Sequence, residues 1–241
     1  MARLSYPALA GKFVAASSQH GVIADANQVG LDPGTGDFSL ELWLRCDSLA
    51  ALRTFVGKGS VANTLSDAQG YWFFVQTDGS LRVIYGVTGS ATRTDRATAA
   101  GAVTAGVWAH LVFNWDRDST PTVYKNGALQ STLASIVATV GGDINSPGSF
   151  RLGAATTPAS DAASSYFEGL MDCVRWRNRL MTVTEITRSY NNGVGLAARD
   201  LSASERVSLT GAWDLDGNLR DGQNGNHLTN VNGVSFAPGK R

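Results

Sequence analysis

Short runs of alternating apolar and polar residues, separated by Gly, Asp, Asn and Ser about every ten residues, constrain the fold more than any other feature of this sequence. In residues 38–46 every second residue is apolar, namely Phe38, Leu40, Leu42, Leu44 and Cys46. A period of two is that of a β-strand with one buried face. Its recurrence at this spacing is typical of a β-sandwich or barrel.

Two tight turns are predicted between neighbouring strands. Asp78-Gly79 separates residues 71–77 from residues 81–87, and Asn126-Gly127 follows residues 122–125. Both dipeptides favour the two-residue turn of a β-hairpin, because their residues adopt positive φ at low cost. Residues 71–77 are apolar on both faces, which predicts a central strand covered on each side. The same patterns predict strands at 107–115, 150–152 and 166–176.

One short helix is predicted near 182–192. Thr182 and Glu185 have the spacing of a capping box, and Asn192-Gly193 is a favourable C-terminal stop. Ser202 and Glu205 repeat the box and predict one further turn. The fold class we expect is therefore all-β, a two-sheet antiparallel sandwich with little helix.

The composition suits a folded domain without a strongly charged surface. The chain has 241 residues, 43% of them hydrophobic and 17% charged, and its formal net charge is zero. Zero net charge argues against nucleic acid as a partner, because such binding needs a basic face. No apolar run approaches the ~20 residues of a membrane span, and the first residues lack a signal-peptide core. We expect a virion surface location if the chain derives from a phage, and otherwise a cytoplasmic protein or one released without a leader.

The cysteines and tryptophans are predicted to be core residues. Cys46 and Cys173 lie in strand-like apolar runs, which favours buried reduced thiols over a disulfide. Two cysteines are too few for a cysteine-rich zinc site. Trp43, Trp108 and Trp176 are large apolar side chains suited to filling a two-sheet core.

Five motifs occur in a fixed order along the chain: DFSLELWL at 37–44, GVWAHLVF at 106–113, VYKNG at 123–127, FRLG at 150–153 with FEGLMDCVR at 167–175, and LMTVTEITRSYNNG at 180–193. This series resembles the laminin-G-like and pentraxin-related branch of the concanavalin A-like lectin/glucanase superfamily. The resemblance implies a jelly roll over residues 1–200.

Residues 201–241 resemble the segment that normally opens such a domain, and Gly11-Lys12-Phe13 stands where that segment would join. Three arrangements are open. The segment completes the sandwich of its own chain as a natural circular permutation, or it completes a neighbouring copy by domain swapping, or it is a decayed half repeat packed outside. We favour closure within the chain.

The sequence contains no recognisable glycosidase centre. Such enzymes use two carboxyl groups that flank the sugar bond, and laminarinase-type members of the family place them as Glu-x-Asp-x-x-Glu. None of the four glutamates stands in that pattern: Glu41, Glu168, Glu185 and Glu205. Glu168 and Asp172 share a predicted strand face but are too widely spaced for that motif. We expect no enzymatic activity.

Other catalytic and metal motifs are also missing. The three histidines, His20, His110 and His227, stand alone, and Gly57-Lys58-Gly59-Ser60 lacks phosphate-loop spacing and is predicted as a solvated turn. Pentraxin-like relatives bind calcium in the loop after Leu-Gly, but here residues 154–161 hold one carboxylate, so that site is not carried over. Asp214, Asp216, Asn218 and Asp221 resemble a cation loop, although turns favour the same residues. We expect no metal and no cofactor.

These observations favour a non-catalytic binding or structural protein. The preferred prediction is a virion-associated lectin-like protein, either a phage capsid decoration or a tail-associated protein. The alternative is a free carbohydrate-binding lectin module, and a glycoside hydrolase is the least favoured. The partners are then capsid or tail proteins or a glycan, with a homo-oligomer as an open option. No binding residue is assigned, but we expect contacts from the loops at 60–69, 88–100, 141–148 and 154–165.

Overall fold

Two eight-stranded antiparallel sheets pack face to face in the computed structural model of the chain. The structure describes residues 8–60, 69–87, 93–132, 134–137, 142–156 and 161–240. Sheet I has the order β10-β9-β8-β3-β15-β1-β18, with β16 also paired to β15, and sheet II has the order β11-β7-β6-β5-β4-β12-β2-β17. The strands are β1 Leu9–Phe13, β2 His20–Ile23, β3 Phe38–Cys46, β4 Arg53–Ser60, β5 Gln69–Val75, β6 Leu81–Gly86, β7 Arg93–Ala97, β8 Ala109–Trp115, β9 Thr122–Lys125, β10 Ala128–Thr132, β11 Ala134–Val137, β12 Phe150–Leu152, β13 Ala155–Thr156, β14 Ala163–Ser164, β15 Gly169–Arg177, β16 Leu209–Trp213, β17 Thr229–Val231 and β18 Ser235–Pro238.

The core between the sheets is rich in aromatic rings. Trp176 stacks on Phe38 and on Tyr71, with ring centroids 4.9 Å and 4.5 Å apart. Stacked pairs at this separation add about 0.5–1.5 kcal/mol beyond the burial of their surface. The apolar positions predicted in residues 38–46 all lie in this core. The all-β sandwich expected from the alternation is confirmed.

Both predicted hairpins are confirmed, although the turn at Asp78-Gly79 is longer than the two residues expected. Asn126 and Gly127 have φ of 53° and 79° between β9 and β10. Gly79, with φ of 75°, lies in the turn between β5 and β6. The strand β5 is covered on both faces as predicted, because Trp72 and Phe74 pack in a second apolar cluster outside the main core.

Two details of the strand and core predictions are wrong. The strand predicted to begin at Val107 begins at Ala109, and Val107 is 54% exposed. Two of the three tryptophans predicted for the core lie outside it. Trp43 is buried but packs on Tyr190, with ring centroids 5.9 Å apart. Trp108 is half-buried, with the Arg45 guanidinium 6.0 Å from its ring centroid. The strand β8 thus starts two residues later than the alternation suggested, and Trp108 belongs to the segment that leads into it.

The helix α1 spans Val183–Tyr190 and has the predicted capping box. The Glu185 backbone N–H donates to Thr182 Oγ1, and Glu185 Oε2 accepts from the Thr182 N–H at 2.8 Å. Ser202 and Glu205 have the same reciprocal contacts, which confirms the second box at the start of a turn. Among the described residues, no helix has the length and apolarity that crossing a bilayer requires.

A buried charged cluster ties α1 to sheet I. Glu41 accepts hydrogen bonds from Arg175 and Arg177 at 2.7 and 2.8 Å, and from the hydroxyl of Ser189 on α1. Burial disfavours ionisation of Glu41, but the two guanidinium charges outweigh it and hold its pKa well below the usual value. The polar face of β3 is therefore covered by charged partners, and little of it contacts water.

Lys58 lies inside β4, so the solvated turn predicted at 57–60 is wrong. Its ammonium is fully buried and contacts Asp25 Oδ1 at 2.7 Å and Asp32 Oδ1 at 3.0 Å. It also donates to the carbonyl oxygens of Ser146 and Gly148. Two loops at one end of the sandwich are joined to β4 through this single cation.

Both cysteines are buried free thiols, as expected. Cys173 has a positive φ of 51°. The pairing of β15 with β3 shifts register between Asp172 and Arg175, so Cys173 lies in a β-bulge.

The C-terminal residues contribute three strands to the two sheets. The strand β16 pairs with β15, β17 with β2, and β18 with β1. Trp213 of β16 stacks on Phe150 in the core at 5.2 Å.

Candidate functional site

An open cleft of about 630 Å³ forms where three chain segments meet at the surface. We call it the Tyr166 cleft. Residues 15–16 enter it after β1, residues 51–53 where β4 begins, and residues 165–168 just before β15. Its wall combines small apolar side chains with Arg53, Tyr166 and Glu168.

The ring of Tyr166 is held in place on two sides. Its hydroxyl donates to the Ala163 carbonyl at 3.0 Å, and its ring lies 5.8 Å from that of His20. His20 Nδ1 is 3.0 Å from the Ser18 carbonyl, which can only accept, so Nδ1 carries the proton. Burial lowers the pKa of His20, and the ring beside Tyr166 is therefore neutral at pH 7. The half-buried tyrosine presents a fixed surface to the cleft.

Glu168 and Arg53 supply opposite hydrogen-bonding groups to the same cleft. Glu168 Oε2 accepts from the Ala15 N–H at 2.8 Å, whereas its Oε1 has no partner among the described residues. Arg53 Nη1 donates to the Tyr166 carbonyl at 3.3 Å, and its buried Nε has no acceptor in the described part of the chain. Within the described residues no ion pair joins the two side chains. Arg53 Nη2 also has no partner among the described residues and, unlike Nε, is not buried. One carboxylate oxygen and one guanidinium nitrogen are therefore left for a ligand.

A second cleft of about 300 Å³ has a more polar wall that includes Arg199, Arg220, Asp214, Asp216 and Asn218. Two of its carboxylates bond to backbone amides of other segments. Asp214 accepts from the Ala198 N–H at 3.0 Å, and Asp216 from the Leu9 N–H at 2.9 Å. These contacts join segments 16 and 207 residues apart in the chain. In the described ranges no group of three or more His, Cys, Asp or Glu side chains is placed to hold a metal ion.

Glu168 and Asp172, which were predicted to share a strand face, have different surroundings in the structure. Glu168 lines the Tyr166 cleft, but Asp172 is buried and accepts from the Lys240 N–H at 2.9 Å. Asp161, the carboxylate of the pentraxin-type loop, is paired with Arg151 at 3.0 Å and bonded to Ser149. That pairing uses the oxygens that a calcium ion would need, so the residue does not fit the family's ion site.

The other two histidines do not line the Tyr166 cleft. His110 is buried 3.5 Å from Glu41, and His227 accepts from the Asp221 N–H. Of the loops expected to make contacts, 154–165 reaches the Tyr166 cleft through Ser165. Parts of these loops, at 61–68, 88–92, 141 and 157–160, lie outside the described residues. Residues 15–16 and 51–53 were not anticipated, because short alanine-containing links carry no motif.

Comparisons with known proteins agree with this fold. Residues 16–187 match the family model Laminin_G_3, described as the concanavalin A-like lectin/glucanases superfamily. No curated protein sequence matches the chain.

Three solved structures illustrate the likeness. A "putative carbohydrate binding protein" from Bacteroides ovatus is 14% identical with a TM-score of 0.62, covering 97% of this chain and 60% of its own. The heptameric SAP-like pentraxin of Limulus polyphemus is 14% identical with a TM-score of 0.63, covering 98% and 97%. The CBM40 of the Ruminococcus gnavus IT-sialidase is 13% identical with a TM-score of 0.50, covering 66% and 84%. At these identities the likeness shows a shared fold.

Proposed function

The chain belongs to the concanavalin A-like lectin/glucanase superfamily, and from that premise we propose that it is a non-catalytic carbohydrate-binding protein whose glycan lies in the Tyr166 cleft. One observation carries the proposal. A fixed tyrosine ring, an available carboxylate oxygen and an available guanidinium nitrogen belong to residues that line one open cleft. The Bacteroides ovatus protein of similar fold, described as carbohydrate binding, supports the same ligand class.

The chemistry of the cleft suits a sugar. A pyranose has an apolar face of C–H groups that packs on an aromatic ring, and a rim of hydroxyls that both donate and accept. Tyr166 offers the ring, Glu168 accepts and Arg53 donates. Ligand sites commonly combine a mainly apolar wall with a few placed polar groups of this kind.

A binding role fits the cleft better than hydrolysis. Retaining glycosidases place two carboxyl groups about 5–5.5 Å apart, and inverting ones place them about 6.5–9.5 Å apart. Glu168 is the one carboxylate among the described residues that line the Tyr166 cleft. A single carboxylate beside an arginine can hold a sugar, but it lacks the second group that both mechanisms need.

Glycan-array binding by the full chain, followed by titration of the strongest glycan, tests the proposal. We expect a signal that free sugar competes away, and at least about a tenfold weaker affinity in Tyr166→Ala, which corresponds to about 1.4 kcal/mol. Arg220→Gln, in the second cleft, is the control and should bind like the natural chain. A flat array would overturn the function. Sugar-competed binding that survives Tyr166→Ala would place the site elsewhere.

We propose further that the protein acts on a virion surface, as a capsid decoration or tail-associated lectin. This location was inferred from the sequence and stays a prediction. Its support is a neutral jelly-roll chain without a recognised catalytic motif. Mass spectrometry of gradient-purified phage particles is the test, and we expect the chain to co-sediment with particles in the presence of excess free sugar. Recovery of the chain only in the particle-free fraction would contradict the location while leaving glycan binding intact.

A further inference from the structure

We propose that the Tyr166 cleft selects N-acetylated sugars, so that its ligand class is the N-acetylhexosamines. This inference rests on the proposed function and deepens it. It follows from two features of the cleft that one acetamido group can use together, which are an exposed apolar wall and a pair of opposite charges.

The apolar wall consists of small alanine side chains and one leucine. Ala15, Ala16, Ala51 and Leu52 line the cleft, and Leu52 is 38% exposed although it is a large apolar residue. A sugar hydroxyl placed against these groups would lose its hydrogen bonds to water without replacement, which is unfavourable. The methyl of an acetamido group has no such cost, and its burial against this wall is favourable.

The charged pair matches the amide of the same substituent. An acetamido group has one N–H donor and one carbonyl acceptor. Glu168 Oε1 can only accept and the Arg53 guanidinium can only donate, so each has one complementary partner on the amide. Hydrogen bonds in which one partner is ionised are about twice as strong as neutral ones.

Charged sugars fit the cleft less well than N-acetylated ones. A carboxylated sugar would pair with Arg53, but its carboxylate offers Glu168 no donor and brings a second negative charge towards it. A free amino sugar is a cation and offers Arg53 no acceptor at that position. The acetylated amide is neutral and satisfies both side chains.

Calorimetric titration of the full chain with matched methyl glycosides tests the inference. The ligands are N-acetylglucosamine and N-acetylgalactosamine, against glucose, galactose and glucosamine. We expect at least about tenfold tighter binding of the acetylated pair. Equal binding of hexoses and their acetylated forms would overturn this inference and leave carbohydrate binding in place. No binding of any sugar would overturn both.

A variant series separates ligand selection from folding. In Glu168→Gln the amide oxygen can still accept from the Ala15 N–H, so we expect an unchanged melting temperature but a loss of most of the preference for acetylated sugars. Arg53→Gln should show the same loss of preference. Arg220→Gln removes one positive charge outside the cleft, as Arg53→Gln does within it, and should keep the preference for acetylated sugars. The assignment would be refuted if Glu168→Gln and Arg53→Gln both kept the natural ratio of affinities for acetylated sugars and plain hexoses.

Discussion

At the scale of single residues, buried charged side chains connect distant segments of the chain, although only 17% of its residues are charged. Lys58 is fully buried and joins β4 to two acidic side chains and two carbonyl oxygens. Its partners lie 33 residues away at Asp25 and 88 residues away at Ser146. No local pattern encodes such contacts, which is why the sequence suggested an exposed turn.

Removal of this cation should destabilise the fold. Lys58→Met keeps most of the side-chain volume but leaves the carboxylates of Asp25 and Asp32 and the carbonyl oxygens of Ser146 and Gly148 without their shared cation. Loss of one partner of a buried ion pair costs about 3–5 kcal/mol, and we expect about 3 because Asp25 is partly exposed to water. Urea denaturation measures the change. Lys12→Met, at an exposed position of β1, is the matched control, and equal stability of the two variants would refute the role of Lys58.

At the scale of elements, sequence patterns predicted the structure correctly where the interacting residues are close together in the chain. The capping box of α1 joins residues three apart, and the turn at Asn126-Gly127 needs two adjacent residues with positive φ. Such features are readable from sequence because the partners are neighbours in the chain. The start of β8 was misplaced, since alternation continued through Val107 although no strand pairs there.

The cap of α1 predicts a pH dependence of stability. Glu185 is partly desolvated, which opposes its ionisation, but hydrogen bonds from Arg179 and Thr182 dominate and lower its pKa from 4.5 to about 2. Because the folded-state pKa is below the unfolded value, this contribution is complete above about pH 4.5 and is lost as the pH falls towards 2.

The difference in unfolding free energy between the natural chain and Glu185→Gln should therefore be largest near pH 6 and shrink at pH 3. Denaturant titrations at both values measure it. Comparing the two proteins at each pH removes the contributions of the other carboxylates. A difference that stays constant or grows on acidification would contradict this assignment.

At the scale of the whole molecule, the sandwich uses both ends of the chain. The strands β1 and β18 pair with each other at the edge of sheet I, and β16 places Trp213 in the core. Closure within one chain, rather than between copies, stays a prediction. The pairing is compatible with either assembly if a neighbouring chain supplies the same strands.

Deletion of residues 201–241 tests the closure. The truncated chain would expose the β15 edge and lose Trp213 and Leu215 from the core, so we expect no cooperative thermal transition. Undiminished melting temperature in the truncated chain would show an external repeat. For the full chain we expect a monomer by light scattering and a concentration-independent melting temperature. An obligate oligomer whose melting temperature rises with concentration would indicate domain swapping.

The sequence by itself determined the all-β sandwich, the two hairpin turns, the capped helix and the family, because strand period, turn conformation and helix capping depend on residues close together in the chain. Only the tertiary structure decided that residues 15–16, 51–53 and 165–168 form one cleft, and that Asp172 lies away from Glu168 beneath the last residues of the chain. Those placements depend on the packing of β1, β4 and β15. Contacts between segments more than a hundred residues apart arise from that packing and leave no pattern in the local sequence.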